Sequence, residues 1–593
     1  MSVESLDARA EFLREAPVFS HLPQAAIREV ASLAVRVEEA AGEWLFREGD
    51  ACDGLYVLGA GRLEVVREAG DAEVVMRSLR PGAVLGELAI LTGSNRSASV
   101  RARRDCVLLK VSSDAFLELV EQDSRFTRDL TQTLATQLQA SRAVSLPRDP
   151  VPPVIALVPL SEGIEIAKLA EQLAAALGRW GRMKLLREAE AAEDGSLGSA
   201  LDRWERASDQ VLLAAESVQP EDDWAAFCLR QADRVLAVSA GPAPPQPLDR
   251  RLLGSDLAML GWPESKPALF PLVEQLDART VHLVRGEPDR ADSIEAMARR
   301  LAGRSVGIVL SGGGARGLAH IGVLDELLAA GVKIDRVGGC SMGALIGALF
   351  ACGLDPNEIE QRLREELVAR KPMSDYTLPL AALLRGRKAE AMLLRLFGDL
   401  RVEELAREFF CVSSDLVSSE LIVHRRGALY EAVGASLCLP GIAPPVASGE
   451  RLLVDGGVLD NLPVKTMAAR GEGPVIAVDV SSRFEPPARR AGGAGRPRLR
   501  DLSARVRRAV IGWDAPLPSF RETITRTIVL GSIDSAEAAR RHAQIVIAPE
   551  VQGIGLTEFG RIGEIRAQGA AAARDVLERL PEGPLRDAVP GDG

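Results

Sequence analysis

The sequence has few aromatic residues, few histidines and no excess of positive charge. Aromatic residues make up 4% of the 593 positions, five residues are histidines, and the formal net charge is −11. Nucleic acid is therefore excluded as a main partner, because binding to phosphates needs clustered positive charge. The small number of histidines also leaves few candidates for a histidine base in an active site.

Paired cysteines and long apolar runs are missing as well. The seven cysteines form no Cys-x-x-Cys pair, which argues against a thiolate metal site and favours a reducing compartment. The first residues contain no apolar segment of the kind that directs secretion. The longest uncharged run, 337–354, is rich in glycine, so a buried helix explains it better than a membrane-spanning one. We therefore expect a cytoplasmic protein whose contact with membranes is peripheral.

The length and the local patterns divide the chain into several domains, because 593 residues are too many for one hydrophobic core. Residues 1–145 begin with helical periodicity and continue as short apolar runs separated by turn residues. This pattern predicts a small β-roll with flanking helices, in which helical periodicity returns at 126–140. The proline-rich residues 146–153 are interpreted as a linker, because they cannot sustain a helix.

The rest of the chain predicts two α/β regions. Residues 154–300 alternate apolar strands with amphipathic helices, which indicates a parallel sheet. The loop 159–163 after the first strand lacks both GxxxxGK[ST] and GxGxxG, so a structural or docking role is expected there in place of nucleotide binding. Residues 301–593 form the second region, in which the Arg- and Pro-rich segment 486–500 is expected to be a flexible insertion.

The most informative motif is GCSMG at 339–343. It lies between an apolar run and a helix-like run, which places Ser341 on a tight strand-to-helix turn with an exposed hydroxyl. The start of the helix adds partial positive charge, which favours an alkoxide or a tetrahedral anion. Ser341 is therefore the candidate nucleophile. Because Gly-x-Ser-x-Gly alone is a weak signal, the assignment of Ser341 as a nucleophile depends on the neighbouring motifs.

A second motif, GGGARG at 312–317, follows the strand-like run 306–310 and precedes a helix. Without Cβ atoms, Gly312, Gly313 and Gly314 can turn several backbone N–H groups toward one oxygen atom, as an oxyanion hole or a phosphate cradle does. The alternative interpretation is a tight turn that binds nothing.

A base is needed to activate the serine. His320 lies at a helical position beside leucines, which favours a core role, and His424 ends a strand before a turn. Asp455 follows the apolar run 452–454 and precedes two glycines. Burial at such a turn would raise its affinity for a proton enough to activate a serine. A residue that only shapes the turn is the alternative.

The motifs GGGARG at 312–317, GCSMG at 339–343 and DGG at 455–457, in this order and spacing, resemble the patatin-like phospholipase family. The resemblance extends over about 301–570. Segments 436–446 and 460–463 are similar to those that frame the active site in the family.

This resemblance implies a patatin-like α/β hydrolase fold with a Ser–Asp dyad. Ser341 would be the nucleophile, Asp455 the base, and Gly312, Gly313 and Gly314 the oxyanion loop. It also implies lysophospholipid or phospholipid substrates and no metal or other catalytic cofactor. Aliphatic residues are plentiful around the motifs, and an aliphatic pocket suits acyl chains, since each buried CH₂ contributes about 0.8 kcal/mol.

The N-terminal domain contains LGELAIL at 85–91 followed by NRSASV at 95–100. An acidic side chain can accept a hydrogen bond from a ribose hydroxyl, and an arginine can neutralise a phosphate. The segment resembles the phosphate-binding cassette of cyclic nucleotide-binding domains, which implies cAMP or cGMP as a regulatory ligand. The implied ligand contacts are Gly86, Glu87, Leu88, Ala89, Arg96 and Ser97. The alternative is an inherited fold that binds no nucleotide.

The order of the three domains resembles that of lysophospholipases of the neuropathy target esterase type. This chain departs from the type in having one recognisable nucleotide-binding module and no N-terminal membrane anchor. The predicted function is hydrolysis of lysophospholipid or phospholipid acyl esters, with a cyclic nucleotide as regulator. An acyl thioesterase or acyltransferase with the same dyad, and a non-catalytic cyclic-nucleotide receptor, are the alternatives. A transcription factor is not expected, since no helix-turn-helix follows the first domain.

Overall fold

The structure is a computed structural model, and two compact units make up the chain. One comprises 1–304 with 470–472, and the other comprises 305–469 with 473–593. The predicted helix at 126–140, most of the predicted linker 146–153 and the insertion 486–500 lie outside the described residues. The described residues are 5–16, 19, 24–69, 72–122, 151–161, 163–192, 197–217, 222–241, 248–377, 382–481 and 540–579.

The first unit begins with a β-roll, as predicted. Its strands are β1 (Val35–Glu39), β2 (Trp44–Phe46), β3 (Gly54–Ala60), β4 (Leu63–Ala69), β5 (Ala72–Leu79), β6 (Val84–Leu85), β7 (Ser99–Ala102) and β8 (Cys106–Ser112). They form two antiparallel sheets in the orders β1-β8-β3-β6 and β2-β7-β4-β5. The flanking helices are Leu6–Glu15, Gln24–Leu33, Glu87–Thr92 and Ser113–Gln122. Leu13, Ile27 and Phe116 pack against the first sheet in one apolar core.

The first unit continues as a parallel α/β domain, which confirms the fold predicted for 154–300. Its strands are β9 (Val154–Pro159), β10 (Met183–Leu186), β11 (Gln210–Ala214), β12 (Arg234–Ser239), β13 (Asp256–Trp262) and β14 (Thr280–Arg285). They lie in the order β10-β11-β9-β12-β13-β14, and every pair is parallel. The helices are Ile166–Leu177, Glu188–Ala192, Leu197–Ala207, Asp223–Gln231, Lys266–Leu276 and Arg290–Leu301. Every residue of β9 is buried, as expected of a strand with helices on both faces.

A buried arginine joins these two parts of the first unit. Arg104, at the turn before β8, is fully buried. Its Nε donates to Asp233 Oδ1 at 3.0 Å, and its Nη1 donates to Glu205 Oε2 at 3.2 Å. Arg230 Nε donates to Asp105 Oδ2 at 2.9 Å beside it. Because a buried guanidinium without these carboxylates would be costly, the β-roll and the parallel sheet are fixed to each other at this turn.

The second unit is built on a mixed sheet of eight strands. They are β15 (Val306–Leu310), β16 (Ile334–Gly339), β17 (Glu408–Asp415), β18 (Leu421–His424), β19 (Val446–Ser448), β20 (Arg451–Asp455), β21 (Val475–Val478) and β22 (Ile545–Ile547). The order is β19-β20-β17-β16-β15-β21-β22, and β18 pairs with β17. The pairs β17–β16, β16–β15, β15–β21 and β21–β22 are parallel. The pairs β17–β18, β17–β20 and β19–β20 are antiparallel.

Helices cover the sheet of the second unit. They are Ala319–Ala329, Met342–Ala351, Pro356–Leu363, Arg387–Phe397, Leu429–Leu437, Val464–Ala468 and Ile562–Arg579. Every residue of Met342–Ala351 is buried, which confirms that the uncharged run 337–354 includes a buried helix. Among the described residues, no helix combines the length and the apolarity needed to cross a bilayer.

Two glycines let the helices Ala319–Ala329 and Ile562–Arg579 cross at close range. A Cβ atom on Gly569 would overlap the carbonyl of Ala319, and one on Gly322 would overlap the carbonyl of Arg566. The helix that follows the glycine-rich loop is thereby braced by the helix Ile562–Arg579.

Candidate functional site

Ser341 lies on a strained turn between β16 and the helix Met342–Ala351. Its φ is 52° and its ψ is −123°, a combination that costs energy in a residue with a side chain. A Cβ on Gly339 would lie 2.6 Å from the Gly343 carbonyl carbon, so the turn needs glycine there. The Ser341 N–H donates to Ser436 Oγ at 2.9 Å, which helps to hold the strained backbone.

Asp455 ends β20 with its side chain buried beside the serine. Its Oδ1 accepts from the Gly457 N–H at 2.8 Å and from the Cys340 thiol at 3.5 Å. Its Oδ2 has no hydrogen-bond partner in the part of the chain that the structure describes. Burial raises the pKa of Asp455, and the Ser341 hydroxyl, the Gly457 N–H and the Cys340 thiol offset that rise only in part. The carboxylate therefore has a free oxygen and an increased affinity for a proton.

The glycine-rich loop lies against the nucleophile. A Cβ on Gly312 would come within 3.0 Å of Ser341 Cβ. The Gly312 N–H donates to the Asn461 backbone oxygen at 3.2 Å, so this amide is already engaged. For the N–H groups of Gly313 and Gly314, the described residues supply no acceptor. Of the three predicted oxyanion donors, the geometry leaves these last two free.

A distant segment supports the end of the same loop. The Ala315 N–H donates to the Leu556 oxygen at 2.8 Å. Arg316 Nε donates to the Ile554 oxygen, also at 2.8 Å, across 238 positions of sequence. The loop is thus held on one side by Asn461 and on the other by 554–556.

Three residues that touch this site were not given roles from the sequence. Ser436 bonds to the serine turn and Cys340 bonds to Asp455. Asn461 Nδ2 donates to the Gly312 carbonyl at 3.2 Å. Ser436 and Asn461 fall in segments already seen to frame the site, so family resemblance was the available signal for them. Nothing in the spacing of Cys340 points to a contact with the aspartate.

The two histidines considered as bases have partners other than Ser341. His320 is fully buried, and its Nε2 lies 2.9 Å from the Ser311 carbonyl oxygen. Burial lowers the pKa of His320 to about 4, so the ring is neutral near pH 7, which fits the predicted core role. His424, at the end of β18, is half-buried, with Nε2 2.7 Å from Ser413 Oγ.

The predicted nucleotide contacts surround the start of the helix Glu87–Thr92. Gly86 caps this helix with a φ of 87°, and a Cβ there would overlap Arg96 Nη1. Ala89 is buried and Ser97 is exposed. The side chains of Glu87 and Leu88 are outside the described residues. The structure therefore brings Gly86 and Arg96 together, while Ser97 faces solvent.

Arg96 is buried with part of its guanidinium free. Its Nη2 donates to Asp53 Oδ1 at 2.7 Å and to the Gly54 oxygen at 2.9 Å, and the group lies 4.2 Å from the Phe46 ring centroid. Nε and Nη1 find no acceptor among the described residues. Burial raises the pKa of Asp53, but hydrogen bonds from Lys110, Arg96 and Tyr56 outweigh it and lower the pKa overall. An anion with two oxygens able to accept hydrogen bonds could bond to both of these nitrogens.

Comparison with protein families gives two matches. A model described as patatin-like phospholipase matches residues 308–468, which contain Ser341, Asp455 and the glycine-rich loop. A model described as cyclic nucleotide-binding domain matches residues 36–123, which contain Gly86 and Arg96. The fold classes predicted for the two ends of the chain are thereby confirmed.

Similar proteins match most of the chain. An uncharacterized NTE family protein of Mycobacterium tuberculosis is 33% identical over 587 residues, which covers 97% of this chain and 97% of that protein. A lysophospholipase of Aspergillus fumigatus is 27% identical over 649 residues, covering 92% of this chain. The chain spans only 42% of that fungal protein.

Among solved structures, the regulatory domain of Toxoplasma gondii PKA with cAMP is similar. It is 27% identical and covers 19% of this chain and 43% of that one, with a TM-score of 0.19. A TM-score this low does not by itself establish a shared fold.

Proposed function

Because the chain belongs to the NTE family, we propose that its second unit is a serine hydrolase that cleaves acyl esters of lysophospholipids or phospholipids. With a patatin-like phospholipase domain at 308–468 and a cyclic nucleotide-binding domain at 36–123, it is an enzyme of the phospholipase class. The proposal of a Ser–Asp dyad depends above all on one observation: beside Ser341, the buried Asp455 carboxyl has an oxygen without a partner among the described residues.

The chemistry proceeds in two steps. Ser341 Oγ attacks the ester carbonyl carbon while its proton passes to Asp455 Oδ2, and the N–H groups of Gly313 and Gly314 stabilise the oxyanion. The carbon–oxygen bond to the leaving alcohol breaks, the alcohol takes the proton from Asp455, and an acyl ester remains on Ser341. Water then gives a proton to Asp455 and attacks this ester. When the tetrahedral intermediate collapses, the proton returns to Ser341 and the fatty acid leaves.

The substrate class follows from the relatives and the composition. Fungal relatives that match 91–92% of this chain are named lysophospholipases. Aromatic residues make up only 4% of the sequence, and aliphatic side chains suit acyl chains, with about 0.8 kcal/mol per buried CH₂. We propose that the protein is cytoplasmic and reaches its lipids by peripheral contact.

We infer in addition that the β-roll binds cAMP or cGMP as a regulatory ligand. Arg96 and the helix start at Gly86 would hold the phosphate, with Glu87, Leu88, Ala89 and Ser97 as the further contacts expected from the cassette. The inferred domains are then a cyclic nucleotide-binding domain (1–145), a linker (146–153), a middle α/β domain (154–300) and a patatin-like domain (301–593).

The dyad is tested by replacing each member. Ser341→Ala removes the nucleophile and Asp455→Asn removes the base, so each should reduce hydrolysis of lysophosphatidylcholine by about 10³-fold or more. Ser374→Ala is the matched control, because the Ser374 hydroxyl is exposed, donates to the Lys371 oxygen and accepts from Lys388 Nζ, neither of which belongs to the proposed site. Circular dichroism checks that each variant is folded. Wild-type rates in folded Ser341→Ala would contradict the proposal.

A further inference from the structure

Two neighbouring turns of the second unit carry exposed aliphatic side chains. Leu416 and Val417, in the turn between β17 and β18, are 51% and 63% exposed, and Leu452 near the start of β20 is 43% exposed. The Leu416 N–H donates to the Leu452 oxygen at 2.9 Å, so the two turns are joined at this point. We call Leu416, Val417 and Leu452 the aliphatic rim.

The exposure of the rim is imposed by a buried carboxylate. Asp415 is 3% exposed, and its side chain accepts from the Val417 N–H at 3.1 Å and the Leu452 N–H at 3.0 Å. It also accepts from the Ser418 N–H and hydroxyl. Four hydrogen bonds on one carboxylate fix both turns, so Leu416 and Val417 are held outward by a specific structure.

The rim lies on the edge of the sheet that carries the dyad. In the pairing of β17 with β20, Ser413 is opposite Asp455 and Asp415 is opposite Leu453. Leu452 is therefore three residues from Asp455 along the strand, which is about 10 Å at about 3.3 Å per residue. Because β17 runs parallel to β16 and extends past its end at Gly339, the rim projects beyond the same edge as Ser341.

We propose that the aliphatic rim is the surface with which the protein touches a zwitterionic phospholipid layer. The proposal rests on the proposed function, since an acyl ester of a phospholipid resides in such a layer and must reach Ser341 from there. Aliphatic side chains on a fixed turn can enter the boundary between head groups and acyl chains. The exposed charges beside the rim, Glu420, Glu450 and Arg451, have both signs, which suits a zwitterionic surface better than an anionic one.

Vesicle binding tests the rim directly. The full chain carrying Ser341→Ala is sedimented with phosphatidylcholine vesicles, so that no lipid is consumed. Adding Val417→Asp should weaken binding about tenfold or more, because a charge must then enter the lipid boundary. Leu253→Asp is the matched control in the first unit, where Leu253 is 58% exposed, and it should leave binding unchanged. Equal binding by the Val417→Asp protein would overturn the proposal.

Activity supplies a second measurement that separates the rim from the dyad. In the otherwise wild-type chain, Val417→Asp should slow hydrolysis of phospholipid in vesicles about tenfold and leave hydrolysis of a soluble short-chain ester within about twofold. An equal loss on both substrates would mean that the rim acts by supporting the site, and would overturn the proposal. A wild-type dimer that Val417→Asp dissociates would also overturn the proposal, because the rim would then join two copies of the chain. If the wild type cleaves neither substrate, the proposed function fails, while vesicle binding still tests the rim.

A second, independent observation concerns Asn461. Its backbone oxygen accepts from the Gly312 N–H and its Nδ2 donates to the Gly312 oxygen, both at 3.2 Å. Its Oδ1 would lie 2.5 Å from a Cβ on Gly312 and 3.0 Å from one on Gly457. The side chain of Asn461 thus fills the space between the glycine-rich loop and the glycines after Asp455.

We infer that Asn461 is a positioning residue for the oxyanion donors. The carbonyl of Gly312 and the N–H of Gly313 belong to one planar peptide group, in which they point in opposite directions. By holding the carbonyl, Asn461 directs the Gly313 N–H toward the other side, where it is free for an oxyanion. The residue touches neither the ester nor the reacting oxygen; it acts through the loop.

Asn461→Asp tests this role, because it keeps the shape and replaces the Nδ2 donor by an acceptor. The expected result is a kcat lower by about 10- to 100-fold on a soluble ester with KM within about twofold. Asn357→Asp is the matched control, since that side chain bonds Arg566. The melting temperature reports whether each variant is folded. Titration of Ser341 with a fluorophosphonate counts the sites whose serine can react, which are the competent sites. An unchanged kcat per competent site, or a loss confined to KM, would overturn the inference.

Discussion

Asp455 is a buried carboxylate that lacks part of its hydrogen bonding. It is 2% exposed, and one of its two oxygens finds no partner in the described part of the chain. Burial favours the protonated form, and the two hydrogen bonds to Oδ1 together with the nearby Ser341 hydroxyl offset this effect incompletely. Such an environment converts an acid that is ordinarily ionised above about pH 4 into a group able to take a proton from serine.

The pH dependence of hydrolysis should report this environment. The base must be ionised, so kcat/KM on a soluble ester should fall as the pH drops through the pKa of Asp455. Because that pKa is raised, the midpoint should lie above the usual value of about 3.9 for aspartate. Cys340→Ala removes a donor that lowers the pKa and should move the midpoint to still higher pH. Cys340→Ser keeps a donor and should not. A midpoint that moves to lower pH in Cys340→Ala would contradict this account.

At the residue scale, the proposed nucleophile and base are easier to recognise in the sequence than the residues around them. Ser341 and Asp455 fall in short motifs whose local turn chemistry can be read directly. The contacts of Ser436, Cys340 and Asn461 join positions 95, 115 and 149 apart. No local pattern encodes such contacts, because they depend on which strands become neighbours.

At the scale of elements, the crossing of Ala319–Ala329 with Ile562–Arg579 should be intolerant of any side chain at its glycines. Gly569→Ala would place a Cβ against the carbonyl of Ala319 and should lower the free energy of unfolding by about 1–3 kcal/mol. Gly563→Ala is the matched control on the same helix, because a Cβ there meets nothing within 4 Å. Chemical denaturation measures both. Equal stability of the two variants would contradict the close crossing.

Elements with a strong local pattern were predictable, and short ones were not. The predicted strand 306–310 coincides with β15, and the apolar run 452–454 lies within β20. The strand β19 has only three residues, Val446–Ser448, which is too short for an alternating pattern. It exists because it pairs with β20, and such pairing is a tertiary property.

At the scale of the whole molecule, a regulatory nucleotide implies a coupling that can be measured from both sides. Isothermal titration should detect binding of cAMP or cGMP to the wild type. Arg96→Gln should weaken binding by about tenfold or more, because two buried nitrogens of Arg96 have no acceptor in the described part of the chain and could bond to a phosphate. The rate at which the protein hydrolyses a soluble ester, with and without the nucleotide, measures the effect of the nucleotide on hydrolysis. If a bound nucleotide changes the affinity for a non-cleavable lipid analogue, the analogue must change nucleotide affinity by the same factor.

Arg101→Gln is the control for that experiment, since Arg101 lies in β7 and pairs with Glu64. Absence of any heat at millimolar nucleotide would contradict the proposal that the β-roll is a sensor.

The order of domains was predictable because each end carries a recognisable motif. The ion pairs of Arg104 with Asp233 and Glu205 were not, since each partner is an ordinary charged residue in the sequence.

The support of the glycine-rich loop by 554–556 has a consequence for biosynthesis. Arg316 reaches its partner Ile554 across 238 positions, so the ribosome must add that many residues after the loop before its brace exists. Domains generally fold as they emerge, beginning with the N-terminal ones. A nascent chain can thus complete its β-roll early, whereas its lipid-cleaving chemistry must wait until translation has passed Leu556.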